Sequence, residues 1–156
     1  MTKLFLSLHV LAVVIAIGPV TVAASMFPRA LRTAHGDPGD GDARSTLRLL
    51  HRICRVYGAV GIAVPVFGLA TAGSLGVLGS GWLITSILLT AAAAGLLVLR
   101  ILPGQDGALT AVQADDDTVT APAVAARLAM LTGVFNLLWA VVTVLMIIRP
   151  GSTTGA

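Results

Sequence analysis

The stretch LFLSLHVLAVVIAIGPVTVAASMF, residues 4–27, decides the fold of this chain. Its 24 residues include no Asp, Glu, Lys or Arg. As a helix it would be roughly 36 Å long, enough to cross a bilayer core of about 30 Å. The apolar run is longer than the core of a signal peptide, so we expect it to remain in the mature protein. It contains one ionisable residue, His9, and a break at Gly18-Pro19, and Pro28-Arg29 is predicted to end it.

The composition of the whole chain also indicates an integral membrane protein. Of its 156 residues, 56% are hydrophobic and 11% are charged, whereas a soluble domain carries about 25% charged residues. The ten basic residues flank the apolar segments, so they indicate membrane topology and contact with the lipid bilayer, and no nucleic acid partner is expected. The one cysteine, Cys54, rules out an intrachain disulfide. We predict a single integral membrane domain over residues 1–156.

Three more apolar runs predict three further spans, at about residues 56–73, 82–100 and 128–148. The second span contains Pro65, which leaves a backbone carbonyl one turn earlier without its usual partner, and we expect a neighbouring helix to satisfy this carbonyl.

Two polar stretches, 28–46 and 103–122, are rich in Gly, Pro and Asp, so they are predicted to be solvated loops. Ser45 or Thr46 is expected to cap the second helix. The predicted fold is an all-α, four-helix transmembrane bundle. The acidic run Asp115-Asp116-Asp117 belongs to the second loop, and residues 151–156 form a predicted disordered tail.

The distribution of basic residues predicts how the bundle is oriented. Four spans put both termini on one side of the membrane, together with Lys3 and Arg149, while eight basic residues lie on the side of the two loops. By the positive-inside rule the loops are cytoplasmic and the termini are extracytoplasmic. The eight are Arg29, Arg32, Arg44, Arg48, Arg52, Arg55, Arg100 and Arg127. Three of them, Arg48, Arg52 and Arg55, are expected to contact anionic lipid headgroups.

Each span carries small or polar residues at helical spacing, which is the pattern of helix–helix interfaces in membranes. We interpret these stripes as packing surfaces. In the fourth span, a solute pathway lined by Thr132, Asn136, Trp139 and Thr143 is the alternative, although no span holds the acidic residue that coupled transporters usually carry. The stripes are His9, Ala12, Ala16, Pro19 and Ala23 in the first span, Gly58, Gly61, Pro65, Gly68 and Ala72 in the second, and Thr132, Asn136, Trp139, Thr143 and Met146 in the fourth.

His9 is the strongest candidate for chemistry, because a neutral imidazole can bind haem iron or a transition metal. Counted from the ends of their spans, Thr143 lies at the same depth as His9, and Met146 lies nearly one turn further out. Met146 is therefore a candidate second axial ligand. The structural alternative is that His9 forms a hydrogen bond with a hydroxyl such as that of Thr143, or is solvated near the membrane surface. His51 is expected about 20 Å away, near the opposite face, so the two histidines cannot share a metal. His51 and Cys54 provide too few ligands for zinc, and no metal site is predicted there.

Leu8-His9, Gly18 and Phe27-Pro28-Arg29 together resemble the first helix of the CopD-like group of four-helix bacterial membrane proteins. This group includes the HemJ-type protoporphyrinogen oxidases, and the chain most resembles a member family of unknown function. The resemblance implies a four-helix fold in a bacterial plasma membrane and haem b bound by His9. It does not imply oxidase activity, because the third span has no counterpart of the oxidases' lysine and the tract before Pro28 lacks their aromatic residues.

The motifs of P-loop, HExxH and GxSxG enzymes are absent from the sequence, so we do not expect enzyme activity. We expect an accessory or structural component of the bacterial plasma membrane, acting as a homo-oligomer or with a membrane-complex partner. A haem b- or metal-binding redox protein that uses His9 is the alternative, and a small-solute transport pathway is the third possibility.

Overall fold

The computed structural model describes residues 1–37, 39–114 and 121–151, and this part of the chain is helical, with no strand. The predicted run Asp115–Asp117 and most of the predicted tail lie outside the described residues. The elements are α1 (Thr2–Gly36), α2 (Gly41–Val60), α3 (Ala63–Leu75), α4 (Gly81–Leu96), a π-helical turn (Leu97–Ile101), α5 (Leu102–Gln113) and α6 (Ala121–Ile148).

These elements form four rods, each long and apolar enough to cross a membrane: α1, α2 with α3, α4 with α5, and α6. This confirms the predicted all-α, four-helix bundle. The α1 helix is central, because it packs against α2, α3 and α6, while α4 packs against α6 and α2 packs against α5. The α1 and α6 helices are antiparallel, because Ser25 meets Asn136, while His9, earlier in α1, and Met146, later in α6, line one cavity. The two termini of the described chain are therefore on one side of the bundle.

The prediction of a loop over residues 28–46 is wrong. The α1 helix passes through both Pro19 and Pro28 and ends at Gly36, so neither proline breaks it. A proline inside a helix costs about 3 kcal/mol, and burying one Phe or Leu side chain gains about 1.5–3 kcal/mol. Beyond Pro28 the helix gains that burial, because its inward side chains share a buried cluster with those of α2. The clustered residues beyond Pro28 are Leu31 and Ala34, and they meet Ala43, Leu47 and Leu50 of α2.

The start of α2 also differs from the prediction, since Asp40 caps it and not Ser45 or Thr46. The Asp40 carboxylate accepts hydrogen bonds from the backbone N–H groups of Asp42 at 2.9 Å and Ala43 at 3.0 Å. An aspartate at this position satisfies backbone donors that have no partner inside the helix. The connection between α1 and α2 is thus reduced to residues 37–40.

In the second predicted loop, residues 103–122, the described residues 103–113 and 121–122 are helical as well. The third span continues beyond Arg100 through the π-helical turn, in which Leu102 N–H bonds to Leu97 O. Pro103 then falls in the first turn of α5, where a missing N–H costs little. The α5 helix runs to Gln113 and buries one side against the rest of the bundle.

The second span is interrupted at Gly61-Ile62, and Pro65 lies in the first turn of α3. The carbonyl that Pro65 leaves without its usual partner is that of Gly61. It accepts a hydrogen bond from Val64 N–H at 3.1 Å. The expectation that a neighbouring helix would satisfy this carbonyl is therefore wrong, because a tight turn within the same span does so.

The second and third spans diverge at these two irregularities. Near mid-depth they touch, since a Cβ atom added at Gly58 would lie 3.2 Å from Leu97 Cδ2. On the loop side of this point α2 packs against α5, and the main buried cluster lies there. On the terminal side α3 packs against α1 and α4 packs against α6, but α3 and α4 make almost no contact with each other. The bundle is consequently open between α3 and α4 on the side of the termini.

Candidate functional site

The opening between α3 and α4 forms a cavity of about 1020 Å³, which we call the α3–α4 groove. This volume lies at the upper end of the range of small-molecule sites, about 300–1,000 Å³. The floor is formed by α1 and α6, and α3 and α4 form its walls. Aliphatic side chains dominate the lining. The residues that offer other chemistry are His9, Thr71, Trp82, Thr90, Trp139, Thr143, Met146 and Arg149.

His9 lines this groove and is held by a backbone hydrogen bond. Its Nδ1 atom lies 2.9 Å from the carbonyl oxygen of Val64, and the side chain is 9% exposed. Since a carbonyl oxygen can only accept, Nδ1 carries the proton and donates it. In the neutral imidazole Nε2 then carries a lone pair, and no described residue forms a hydrogen bond with it. A metal-binding histidine usually has this arrangement, with one ring N–H on a carbonyl and the other nitrogen facing the metal.

Gly68 provides the space for the His9 ring. A Cβ atom added at Gly68 would lie 2.9 Å from Cε1 and 3.1 Å from Nδ1 of His9. Real Cβ atoms do not approach so closely, so any larger residue would displace the imidazole or the helix. Gly68 lies one helical turn after Val64, and together they form the surface of α3 that receives the ring. Gly61 was predicted to share this close-contact role. Among the described residues, a Cβ atom added there would meet only atoms of its own helix.

Of the two predicted partners of His9, Thr143 and Met146, one bonds within its own helix and the other lines the groove. Thr143 Oγ1 donates to the carbonyl oxygen of Trp139 at 2.8 Å, within its own helix. The predicted hydrogen bond between His9 and Thr143 is therefore wrong, since Val64 takes its place. Met146, the candidate second axial ligand, is half-buried and lines the same groove as His9. Its role as a ligand stays a prediction.

The polar stripe of α6 is divided between two environments. Trp139 and Thr143 line the groove, but Thr132 and Asn136 do not. The Asn136 side-chain amide donates to Ser25 Oγ at 3.2 Å, and Thr132 is buried in the bundle. The four residues thus do not line one continuous cavity. The predicted stripe of α1 is buried at His9, Ala12, Ala16 and Ala23, and Val20 is buried in place of Pro19.

The predicted stripe of the second span is buried at Ala72 only. Gly58, Gly61 and Gly68 are half-buried and Pro65 is exposed.

His51 lies in a second, separate polar cluster on the loop side. Its Nδ1 atom is 3.1 Å from Gln105 Oε1, and its Nε2 atom is 3.6 Å from a carboxylate oxygen of Asp106. The Gln105 amide also donates to Cys54 Sγ at 3.6 Å. His51 precedes Val64 by 13 residues in the same span, which is roughly 20 Å. The two histidines are in different sites, as the sequence predicts. Nowhere in the described ranges do three His, Cys, Asp or Glu side chains form a metal site.

Gln105 and Asp106 were missed by the sequence interpretation because they fall in the predicted loop. A signal was available, since Ile101, Gln105, Ala108 and Val112 recur at helical spacing. The predicted lipid-binding residues Arg48, Arg52 and Arg55 are exposed on α2. They lie on the side of the helix away from the buried residues Leu47, Leu50, His51 and Cys54.

Comparison with protein-family models, with curated proteins and with solved structures finds no significant match to this chain.

Proposed function

We propose that this chain is an accessory protein of the bacterial plasma membrane that binds haem b in the α3–α4 groove through His9. The observation that carries the proposal is the hydrogen bond from His9 Nδ1 to Val64 O, because it leaves Nε2 as the free donor atom at a groove of suitable volume. The resemblance of Leu8-His9, Gly18 and Phe27-Pro28-Arg29 to the CopD-like group, which includes the HemJ-type oxidases, supports the same assignment.

The residues of the groove fit a haem. His9 Nε2 would bind the iron, and the backbone carbonyl of Val64 would fix the ring and raise its basicity as a ligand. The aliphatic side chains of α3 and α4 would surround the bound group and limit its contact with water. Met146 lines the same groove and would be the candidate for a second iron ligand. When bound, haem would supply one-electron redox chemistry, with a potential that depends on the axial ligands.

An accessory role fits this site better than an enzyme activity. Among the described residues that line the groove there is no Asp, Glu, Lys or Cys, so the imidazole of His9 has no carboxylate, amine or thiol beside it with which to form a catalytic pair. A protein with such a site would store haem, deliver it or pass electrons to a partner in the membrane. A solute pathway has less support, because Thr132 and Asn136 lie outside the groove.

The proposed orientation places α2 and α5 at the cytoplasmic face and the groove in the outer half of the membrane, as the positive-inside rule indicates. Arg48, Arg52 and Arg55 would then contact anionic headgroups of the inner leaflet. Their exposure on one side of α2 is consistent with this role.

The experiment is a haem titration of the full chain in mild detergent, followed by visible absorption. We expect a Soret band that saturates at about one haem per chain. Met146→Leu should shift the spectrum if its thioether is an axial ligand, whereas Met130→Leu, an exposed methionine on the same helix, should not. No saturable Soret band in the wild-type protein would refute haem binding.

A further inference from the structure

His51 is a buried histidine of α2 whose two ring nitrogens both face α5. Its Nδ1 atom lies 3.1 Å from Gln105 Oε1, and its Nε2 atom lies 3.6 Å from a carboxylate oxygen of Asp106. The His51 side chain is 9% exposed, whereas that of Asp106 is 72% exposed. The imidazole therefore joins two helices on the loop side, and its partner carboxylate is at the surface.

Gln105 determines which ring nitrogen carries the proton when the imidazole is neutral. Its amide nitrogen donates to Cys54 Sγ at 3.6 Å, so its Oε1 atom is the one that faces His51. An amide oxygen can only accept, and Nδ1 therefore donates. Nε2 of the neutral ring then has a lone pair that faces the Asp106 carboxylate, which also can only accept. The neutral imidazole thus satisfies one of its two neighbours on α5.

A second proton on the imidazole would satisfy both neighbours. Nε2 would become a donor, and the positively charged ring would lie within ion-pair distance of the Asp106 carboxylate. Nδ1 would keep its bond to Gln105, since it donates in both states. Imidazole is the side chain whose charge ordinarily changes between about pH 5 and 8. The arrangement of Gln105 and Asp106 is therefore complementary to the charged form of His51.

The surroundings of His51 make Asp106 the charged group that responds to its proton. Asp106 is the one charged residue of α5. The α1 helix also packs against α2, and the residues that it buries there, such as Phe27 and Leu31, are apolar. Arg44 is on the same side of α2 as His51 but two turns away, at about 10 Å. The other charged or titratable side chains of the loop side are exposed, so water and salt screen them. They include Arg29, Arg32 and His35 of α1, Arg48, Arg52 and Arg55 of α2 and Arg100 of the π-helical turn.

We infer that His51 and Asp106 form a proton-sensitive clamp, in which a proton on His51 Nε2 creates an ion pair that holds α2 against α5. The clamp is closed at about pH 5 to 6, where an ordinary carboxylate is charged and an ordinary imidazole binds a proton. As the pH rises the imidazole loses this proton, and the bond to Gln105 remains alone. The clamp senses the aqueous phase on the loop side, which is the cytoplasm in the proposed orientation.

The test uses Cys54, the single cysteine of the chain, as a local reporter. Its thiol is fully buried and accepts the bond from Gln105, so a thiol reagent reaches it only when α2 and α5 separate. The full chain in detergent is labelled with 4,4′-dithiodipyridine at about pH 5.5 and at about pH 8. At each pH the labelling rate of the wild type is divided by that of Asp106→Asn. The division removes the pH dependence of the thiol reaction and the titration of His9 and His35, which both proteins share.

We expect this ratio to be about threefold lower at the acidic pH, a change within the range of ion pairs at protein surfaces. In a His51→Asn background, the substitution at Asp106 should change the labelling rate by the same factor at both pH values. Asp42→Asn, which removes an exposed carboxylate of α2, is the matched control and should give a ratio that does not depend on pH.

A ratio for Asp106→Asn that is equal at the two pH values, or that changes as much in the His51→Asn background, would overturn the inference. If Cys54 does not react in the folded protein, the midpoints of chemical denaturation of the same variants replace the rates. A difference in midpoint between the wild type and Asp106→Asn that is the same at both pH values would then overturn it. The clamp does not involve the groove, so the haem titration and this test can fail independently.

Discussion

The Nδ1 atom of His9 lies 2.9 Å from the carbonyl oxygen of Val64, and this contact joins α1 to α3 at the α3–α4 groove. The bond sets the tautomer of the imidazole. Nε2 therefore keeps its lone pair and is the nitrogen available to bind a ligand. It also depends on Gly68, which leaves room for the ring. One glycine and one backbone carbonyl thus fix the position and the tautomer of this histidine.

Gly68→Ala should destabilise the protein. The added Cβ would lie 2.9 Å from His9 Cε1, so the ring or α3 must move and the bond to Val64 is strained or lost. Overpacking of this kind costs about 1–3 kcal/mol. Thermal unfolding in detergent measures the effect. Gly73→Ala on the same helix is the control, because its Cβ would meet no atom within 4 Å. Equal stability of the two variants would mean that His9 is not held against α3.

Gln105→Leu should destabilise the loop side of the bundle, although leucine has nearly the volume of glutamine. The substitution removes the partner of His51 Nδ1 and the donor to Cys54 Sγ, both in a buried setting. Leaving a buried polar group without its partner costs about 1–3 kcal/mol. Chemical denaturation in detergent should resolve this loss. Gln113→Leu, at the exposed end of α5, should unfold like the wild type. If Gln105→Leu also unfolds like the wild type, the cluster around His51 contributes nothing to stability.

The four long apolar helices could be predicted from the sequence, because the lengths of the apolar runs indicate them. The ends of the helices could not be predicted correctly. The prediction ended two helices at Pro28 and Pro103 and did not follow the helical spacing of the apolar residues around them. Pro28 is outweighed by the burial of Leu31 and Ala34 beyond it, and Pro103 follows a π-helical turn that leaves it in a first turn. In both cases helical spacing of buried residues continues past the proline, and this periodicity was the more reliable signal.

The candidate site was predictable in part. His9 is conspicuous as an ionisable residue in an apolar span, and the separation from His51 follows from counting residues along the helices. Its partner was not predictable, because the acceptor is a backbone carbonyl and every residue has one. Side-chain chemistry favours Thr143 as the partner, but its hydroxyl donates to the carbonyl oxygen of Trp139 within α6. The groove itself depends on the divergence of α3 and α4, which follows from local irregularities that composition does not reveal.

The orientation of the bundle is predicted by the arginines on the loop side. In a Cys54→Ala background, single cysteines are introduced at Gly39, between α1 and α2, and at Gly79, in the turn between α3 and α4. Both positions are exposed, and they lie at opposite ends of the bundle. A membrane-impermeant maleimide added to intact cells should label the variant with cysteine at position 79 and leave the one at position 39 unlabelled until the cells are opened. The opposite pattern would reverse the orientation.

Binding of haem through His9 is the central claim, and the absorption spectrum of histidine variants after haem titration tests it most directly. His9→Ala should lose the Soret band, because Nε2 of this residue is the proposed iron ligand. His51→Ala should keep the band, since His51 is in a separate cluster with Gln105 and Asp106. A Soret band that survives His9→Ala, or that disappears in His51→Ala alone, would contradict the account.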